Sequence, residues 1–98
     1  LISKSKKMYY ILFYKTVENY VEKRVPFREE HLKSIKEAHN NGDLVMAGAL
    51  AEPADAGVFI FKGETPETAE DFAKNDPYVL NGLIKEWEVR PWNVVVGG

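Results

Sequence analysis

Uncharged, β-prone runs alternate along the chain with amphipathic stretches, and this alternation sets the expected element order. Met8-Tyr9-Tyr10-Ile11-Leu12-Phe13-Tyr14 carries no charge and is dominated by aromatic and aliphatic side chains. It predicts a strand, and the lack of polar alternation predicts that both of its faces are covered. Lys15 to Val25 is polar and irregular, with room for one helical turn around Glu18 to Lys23. Pro26 stands where a first helical residue would stand, and Phe27 to Asn41 follows with Leu32, Ile35 and Ala38 spaced for one buried stripe. Asn41-Gly42 supplies the residues that tolerate a left-handed helix end.

Leu44 to Leu50 predicts a second strand and Val58 to Phe61 a third, separated by turn residues from Glu52 to Gly57, so the two are expected to form a hairpin. Thr65-Pro66-Glu67 is a helix start, with a hydroxyl cap, a proline and a carboxylate in the first turn. Ala69, Phe72 and Ala73 give that helix its inner face. Asn75-Asp76-Pro77 ends it, because a residue before proline avoids the helical region. Pro77 to Asn81 has room for a short extra turn. Leu83 to Val89 predicts the fourth strand, Pro91-Trp92 is expected to break it, and Asn93 to Val96 is a short β-prone tail.

The order is βαββαβ. In a domain of this size it predicts an α+β fold, the ferredoxin-like plait: a four-stranded antiparallel sheet with two helices on one face. Two helices cover only one face, yet the first three strands are apolar on both. A sheet-sized apolar patch is too large for a monomer surface, so the expectation is a homodimer packed through its sheet faces.

Composition narrows the function without choosing it. The chain has 98 residues, enough for a single domain, with 13 Lys and Arg against 15 Asp and Glu, a net charge of −2. Residues 1–7 hold three Lys and read as an extension ahead of Met8, with residues 8–98 as the domain; without them the net charge is −5. An acidic body is a poor partner for nucleic acid, and no polybasic anchor or membrane-length apolar run is present. The absence of cysteine excludes disulfides, a thiolate nucleophile and cysteine zinc sites, and fits a cytoplasmic location.

The chemistry that remains centres on two residues. In the predicted plait the two helices are antiparallel, so the start of the first and the end of the second meet at one sheet edge. That connectivity brings His31, expected in the second turn of the first helix, towards Asp76. A carboxylate beside an inward imidazole holds one tautomer and stabilises the imidazolium, the usual support for acid/base work. The same residues also read as a packing histidine and a turn-forming aspartate. The expected cleft is bounded by Tyr14, the Glu52–Ala56 turn and Arg28. Arg24 and Arg28 flank Pro26 and read either as a clamp for an anionic substrate group or as partners of nearby glutamates on a solvated face. Tyr10, Tyr14 and Tyr78 read as pocket phenols or as core aromatics. His39 lies at the far end of the helix, where the dipole favours a cation. No cofactor is expected: Gly42 and Gly48 make no phosphate loop, and the histidines and carboxylates lack metal-ligand spacing.

Arg28-Glu29-Glu30-His31-Leu32, Gly42-Asp43-Leu44, Gly48-Ala49-Leu50, Asp76-Pro77-Tyr78-Val79 and Gly82-Leu83, taken in order, resemble the YciI-like (YCII-related) domain family. The resemblance runs from Met8 to about Trp92. It implies a dimeric α/β barrel and an active-site pair that maps onto His31 and Asp76. It also implies a cofactor-independent lyase, isomerase or dehydrochlorinase type of proton transfer on a small cyclic or aromatic compound. The competing expectation is a non-catalytic homodimeric module that binds a small ligand in the same cleft.

Overall fold

The computed structural model describes residues 7–98; apart from Lys7, the extension read at residues 1–7 lies outside the described residues. The uncharged runs form β1 (Met8–Thr16), β2 (Leu44–Ala49) and β3 (Ala56–Gly63), and β4 (Ile84–Trp92) completes the sheet. The strand order is β2-β3-β1-β4, antiparallel throughout. The connections carry a one-turn helix α1 (Tyr20–Lys23), a 3₁₀ turn at Val25–Phe27, and the long helix α2 (Arg28–Asn40). Helix α3 (Glu67–Asn75) and the one-turn α4 (Pro77–Leu80) join β3 to β4. This is the predicted ferredoxin-like α+β plait.

Alternation along the strands divides the apolar residues cleanly. Tyr10, Leu12 and Tyr14 of β1 and Phe59 and Phe61 of β3 point under the helices and are buried, with Ala69 and Ala73 of α3 against them. Their sequence neighbours Ile11, Phe13, Val58 and Ile60 share the opposite face, where no helix lies.

Two details differ from the pattern-based expectation, and one matches it. Pro26 lies within the 3₁₀ turn, so α2 begins at Arg28 and His31 closes its first turn rather than lying in the second. Pro91 and Trp92 do not break β4: they pair with Tyr10 and Tyr9. An edge strand has a neighbour on one side only, which is where a residue without an N–H is tolerated. Gly42 takes the expected left-handed conformation, with φ of 85°.

Candidate active site

The Asp76-Pro77 step builds the centre of the site. Pro77 excludes the helical conformation from Asp76, which is extended with φ of −69° and ψ of 127°. Asp76 therefore caps α4, and its Oδ1 accepts from the Tyr78 N–H at 3.1 Å. The same Oδ1 accepts from His31 Nδ1 at 2.7 Å, and Oδ2 accepts from the Tyr14 hydroxyl at 2.6 Å. Three donors from three elements converge on one carboxylate that is 1% exposed. This convergence explains how a charged group can lie so deep: both of its oxygens are hydrogen-bonded.

The network also fixes the imidazole. An ionised carboxylate can only accept, so Nδ1 must carry a proton, and in the neutral ring Nε2 keeps the lone pair. The His31 ring lies nearly parallel to that of Tyr78, 3.6 Å between centroids and 10° between planes, with Phe59 edge-on at 6.2 Å. Stacking on one side and the Asp76 bond at one end leave the ring a single orientation. Among the described residues Nε2 has no hydrogen-bond partner, yet it is not sealed off, because His31 lines a cavity of about 180 Å³.

Burial, together with the negative charge and hydrogen bond of Asp76, raises the pKa of Tyr14 far above its ordinary value. Tyr14 thus remains a phenol and a donor. Burial also raises Tyr78, with Tyr20 adding to the shift and Arg28 and Arg24 opposing it.

The cavity lies between the inner sheet face and α2. Tyr14, Phe59 and Tyr78 supply aromatic walls, and Ala47, Ala49 and Gly57 a wall of small residues. Tyr20, Arg24 and Arg28 stand on the same lining. The structure thus brings together His31, Asp76, Tyr14, Tyr78, Arg24 and Arg28. The ends of β2 and β3 form the side that the sequence pattern gives to the Glu52–Ala56 turn; Ala54 and Asp55 line a neighbouring depression instead. Arg24 and Arg28 form no ion pair with a carboxylate among the described residues, and Arg24 lies over the Tyr20 ring at 5.2 Å. The Tyr14 hydroxyl is engaged with Asp76 while its ring lines the cavity. Sequence reasoning misses that bond, although the inward parity of Tyr14 at the sheet edge carrying the pair is a usable signal. His39 is exposed at the other end of α2. The described residues contain no group of three or more His, Asp or Glu side chains placed to hold a metal ion.

A plait with a buried His–Asp pair under its first long helix defines a small α+β class. Residues 8–93 match the model of the YCII-related domain. The chain is 34% identical over 97 residues to an uncharacterised protein of Haemophilus influenzae, and 30% identical to protein YciI of Escherichia coli O6:H1; each match covers 90% of this chain and 99% of the relative. The chain therefore belongs to the YCII-related family. Among solved structures it is similar to the 5-chloro-2-hydroxyhydroquinone dehydrochlorinase TftG of Burkholderia phenoliruptrix, in complex with 2,5-dihydroxybenzoquinone. That match has a TM-score of 0.74 at 17% identity and covers 88% of this chain and 94% of the other. A second, PA3566 of Pseudomonas aeruginosa, has a TM-score of 0.62 at 8% identity and covers 96% and 100%. At these identities the structural likeness shows the fold.

Proposed function

We propose that the protein is a cofactor-independent enzyme that moves a proton on a small cyclic or aromatic compound, with His31 as the base and Asp76 as its orienting partner. The observation that carries this reading is the divided use of the imidazole: Nδ1 is held by a buried carboxylate, while Nε2 has no partner among the described residues and the ring lines a small cavity. Nε2 takes a proton from a carbon or hydroxyl of the bound compound, and Asp76 stabilises the imidazolium that results. The electron pair left behind either expels a leaving group from the neighbouring carbon or shifts a double bond. The imidazolium then returns its proton to the leaving group or to the new site. The cavity volume lies below the roughly 300–1,000 Å³ of drug-sized pockets, which suits a single ring. The dehydrochlorinase of similar fold acts on such a ring, which gives the lyase version its first substrate to try.

The test is solvent-deuterium exchange and chloride release with hydroxylated and chlorinated ring compounds, 5-chloro-2-hydroxyhydroquinone among them. Exchange or chloride release that disappears in His31→Ala is the expected result; rates equal to the variant's would overturn the proposal. The alternative, a non-catalytic module binding the same ligands, draws on the low exposure of His31, 6%. Saturable binding without exchange would favour it.

The protein is also proposed to work as a homodimer joined through the uncovered sheet face. Met46, Phe13 and Trp92 are exposed there beside Ile11, Val58 and Ile60. Sedimentation at micromolar concentration should give the dimer mass, and a stable monomer would contradict it. No described helix is long and apolar enough to cross a membrane. A cytoplasmic location belongs to the same proposal and is checked by cell fractionation.

A further inference from the structure

The lining of the cavity holds polar groups that the His31 chemistry does not use. Tyr78 is 1% exposed, and its hydroxyl oxygen is buried without a hydrogen-bond partner among the described residues. A buried hydroxyl without a full partner is costly, so its place on a residue of the cavity wall points to an occupant that supplies one. Arg28 is the nearest donor: its charge and a loose hydrogen bond oppose the upward pKa shift of this phenol, but it stands outside full hydrogen-bond geometry. Neither Arg28 nor Arg24 has a carboxylate within ion-pair distance among the described residues. Arg24 is held over the face of Tyr20, Tyr20 meets Tyr78 edge-on at 5.7 Å, and Tyr78 stacks on His31. The Arg24 guanidinium thus connects to the base through a fixed line of rings.

Each unfilled group here is a donor or a positive charge: a guanidinium donates only, and a phenol facing two of them is best used as a donor. A neutral carbonyl would leave the charge unmatched, and a cation would be repelled. We infer that Arg24, Arg28 and the Tyr78 hydroxyl form a subsite for an anionic oxygen group, so that the ligand is a small, planar acid bound by its carboxylate or an equivalent ring oxyanion. The small side chains of Ala47 and Ala49 and the bare Gly57 on the same lining leave room for the rest of the ring. A side chain at Gly57 would meet Tyr14 and Phe59 at ordinary contact distance, 3.6 Å, and project into that space. The anion, anchored by these groups, then presents the ring to His31. This inference deepens the proposed proton-transfer function and rests on it for the chemical step, but the binding itself is independent of turnover.

The experiment uses the whole chain, with benzoate as the anionic probe and benzamide as its neutral counterpart, followed by backbone amide NMR titration near neutral pH and low salt. Benzoate should bind about tenfold more tightly than benzamide or better, as expected for a hydrogen bond to a charged group. Arg28→Gln and Arg24→Gln should each remove most of this preference while leaving benzamide affinity unchanged, and Tyr78→Phe should weaken benzoate by a smaller factor. Gly57→Val should weaken both probes together, because it fills space without removing charge. Equal binding of the two probes, no binding of either, or a preference that survives both arginine substitutions would overturn the subsite. His31→Gln separates the two proposals. A benzoate preference retained in that variant, with no His31-dependent exchange in the wild type, leaves the subsite standing and removes the catalytic reading. Exchange without any benzoate preference does the reverse.

Discussion

Phe59 and Ile60 are adjacent on β3 and of similar hydrophobicity, yet they belong to different surfaces. Phe59 lies on the inner face, buried under α2 and α3, with the His31 ring against its edge. Ile60 lies on the outer face among Tyr9, Met46, Val58 and Trp92, where an apolar groove of about 460 Å³ has no covering element. The inner face is closed by helices and contains the buried charged centre. The outer face is open and its groove is lined by apolar side chains. Closure is what makes a carboxylate useful: with water excluded, its three hydrogen bonds fix geometry that solvent would otherwise disperse. An open apolar face is suited to association. On the proposed reading the same strands serve a chemical surface and an assembling one, separated by the thickness of a single sheet.

The largest effect should come from breaking the inner centre. Asp76→Ala leaves His31, Tyr14 and the Tyr78 N–H without their acceptor, and unfolding in urea should show a loss of about 3–5 kcal/mol. Ile60→Lys should act oppositely in kind. Its side chain can reach water in a monomer, so secondary structure should persist while the dimer dissociation constant rises by about a hundredfold, read by sedimentation. An Ile60→Lys protein that unfolds outright would mean the outer face is part of the fold's own stability.

Tyr14→Phe gives a smaller and pH-dependent effect. Losing the bond to Asp76 should cost about 1–3 kcal/mol at neutral pH. Because the folded pKa of Tyr14 is raised from an ordinary 10.0, its contribution is complete below that pH, where both states keep the proton. Above it the unfolded chain releases a proton that the fold retains, so stability falls as pH rises. Denaturation followed from neutral to alkaline pH should show a shallower decline in Tyr14→Phe than in the wild type. The smallest effect is expected at the tail. Val95 and Val96 are 94% and 86% exposed, so removing residues 95–98 should leave monomer stability within about 0.5 kcal/mol. A weakened dimer after the same truncation would show that the tail crosses to the partner.

The contrast between the faces also explains what is legible in the sequence. The four strands, both long helices and the meeting of His31 with Asp76 follow from local pattern plus connectivity, because a plait of this order has few ways to close. The apolar character of Ile11, Phe13, Val58 and Ile60 is equally visible, since it depends only on alternation. Contacts decided by side-chain reach are not. The Tyr14 hydroxyl meets an aspartate 62 positions away, and the stacking of Tyr78 on His31 depends on the one-turn α4 that begins at Pro77. Pro91 and Trp92 escape the local pattern for a related reason: proline disfavours a central strand, and only the sheet order places β4 at the edge.

Nitrogen NMR of the His31 side chain tests the central claim most directly, because the resonances of the neutral ring distinguish its two tautomers. With Asp76 as acceptor, the proton must lie on Nδ1, leaving Nε2 open to the cavity, and Asp76→Asn should weaken that preference. A neutral ring carrying its proton on Nε2 in the wild type would contradict the assignment, since the nitrogen not held by Asp76 would then have no lone pair with which to act as the proposed base.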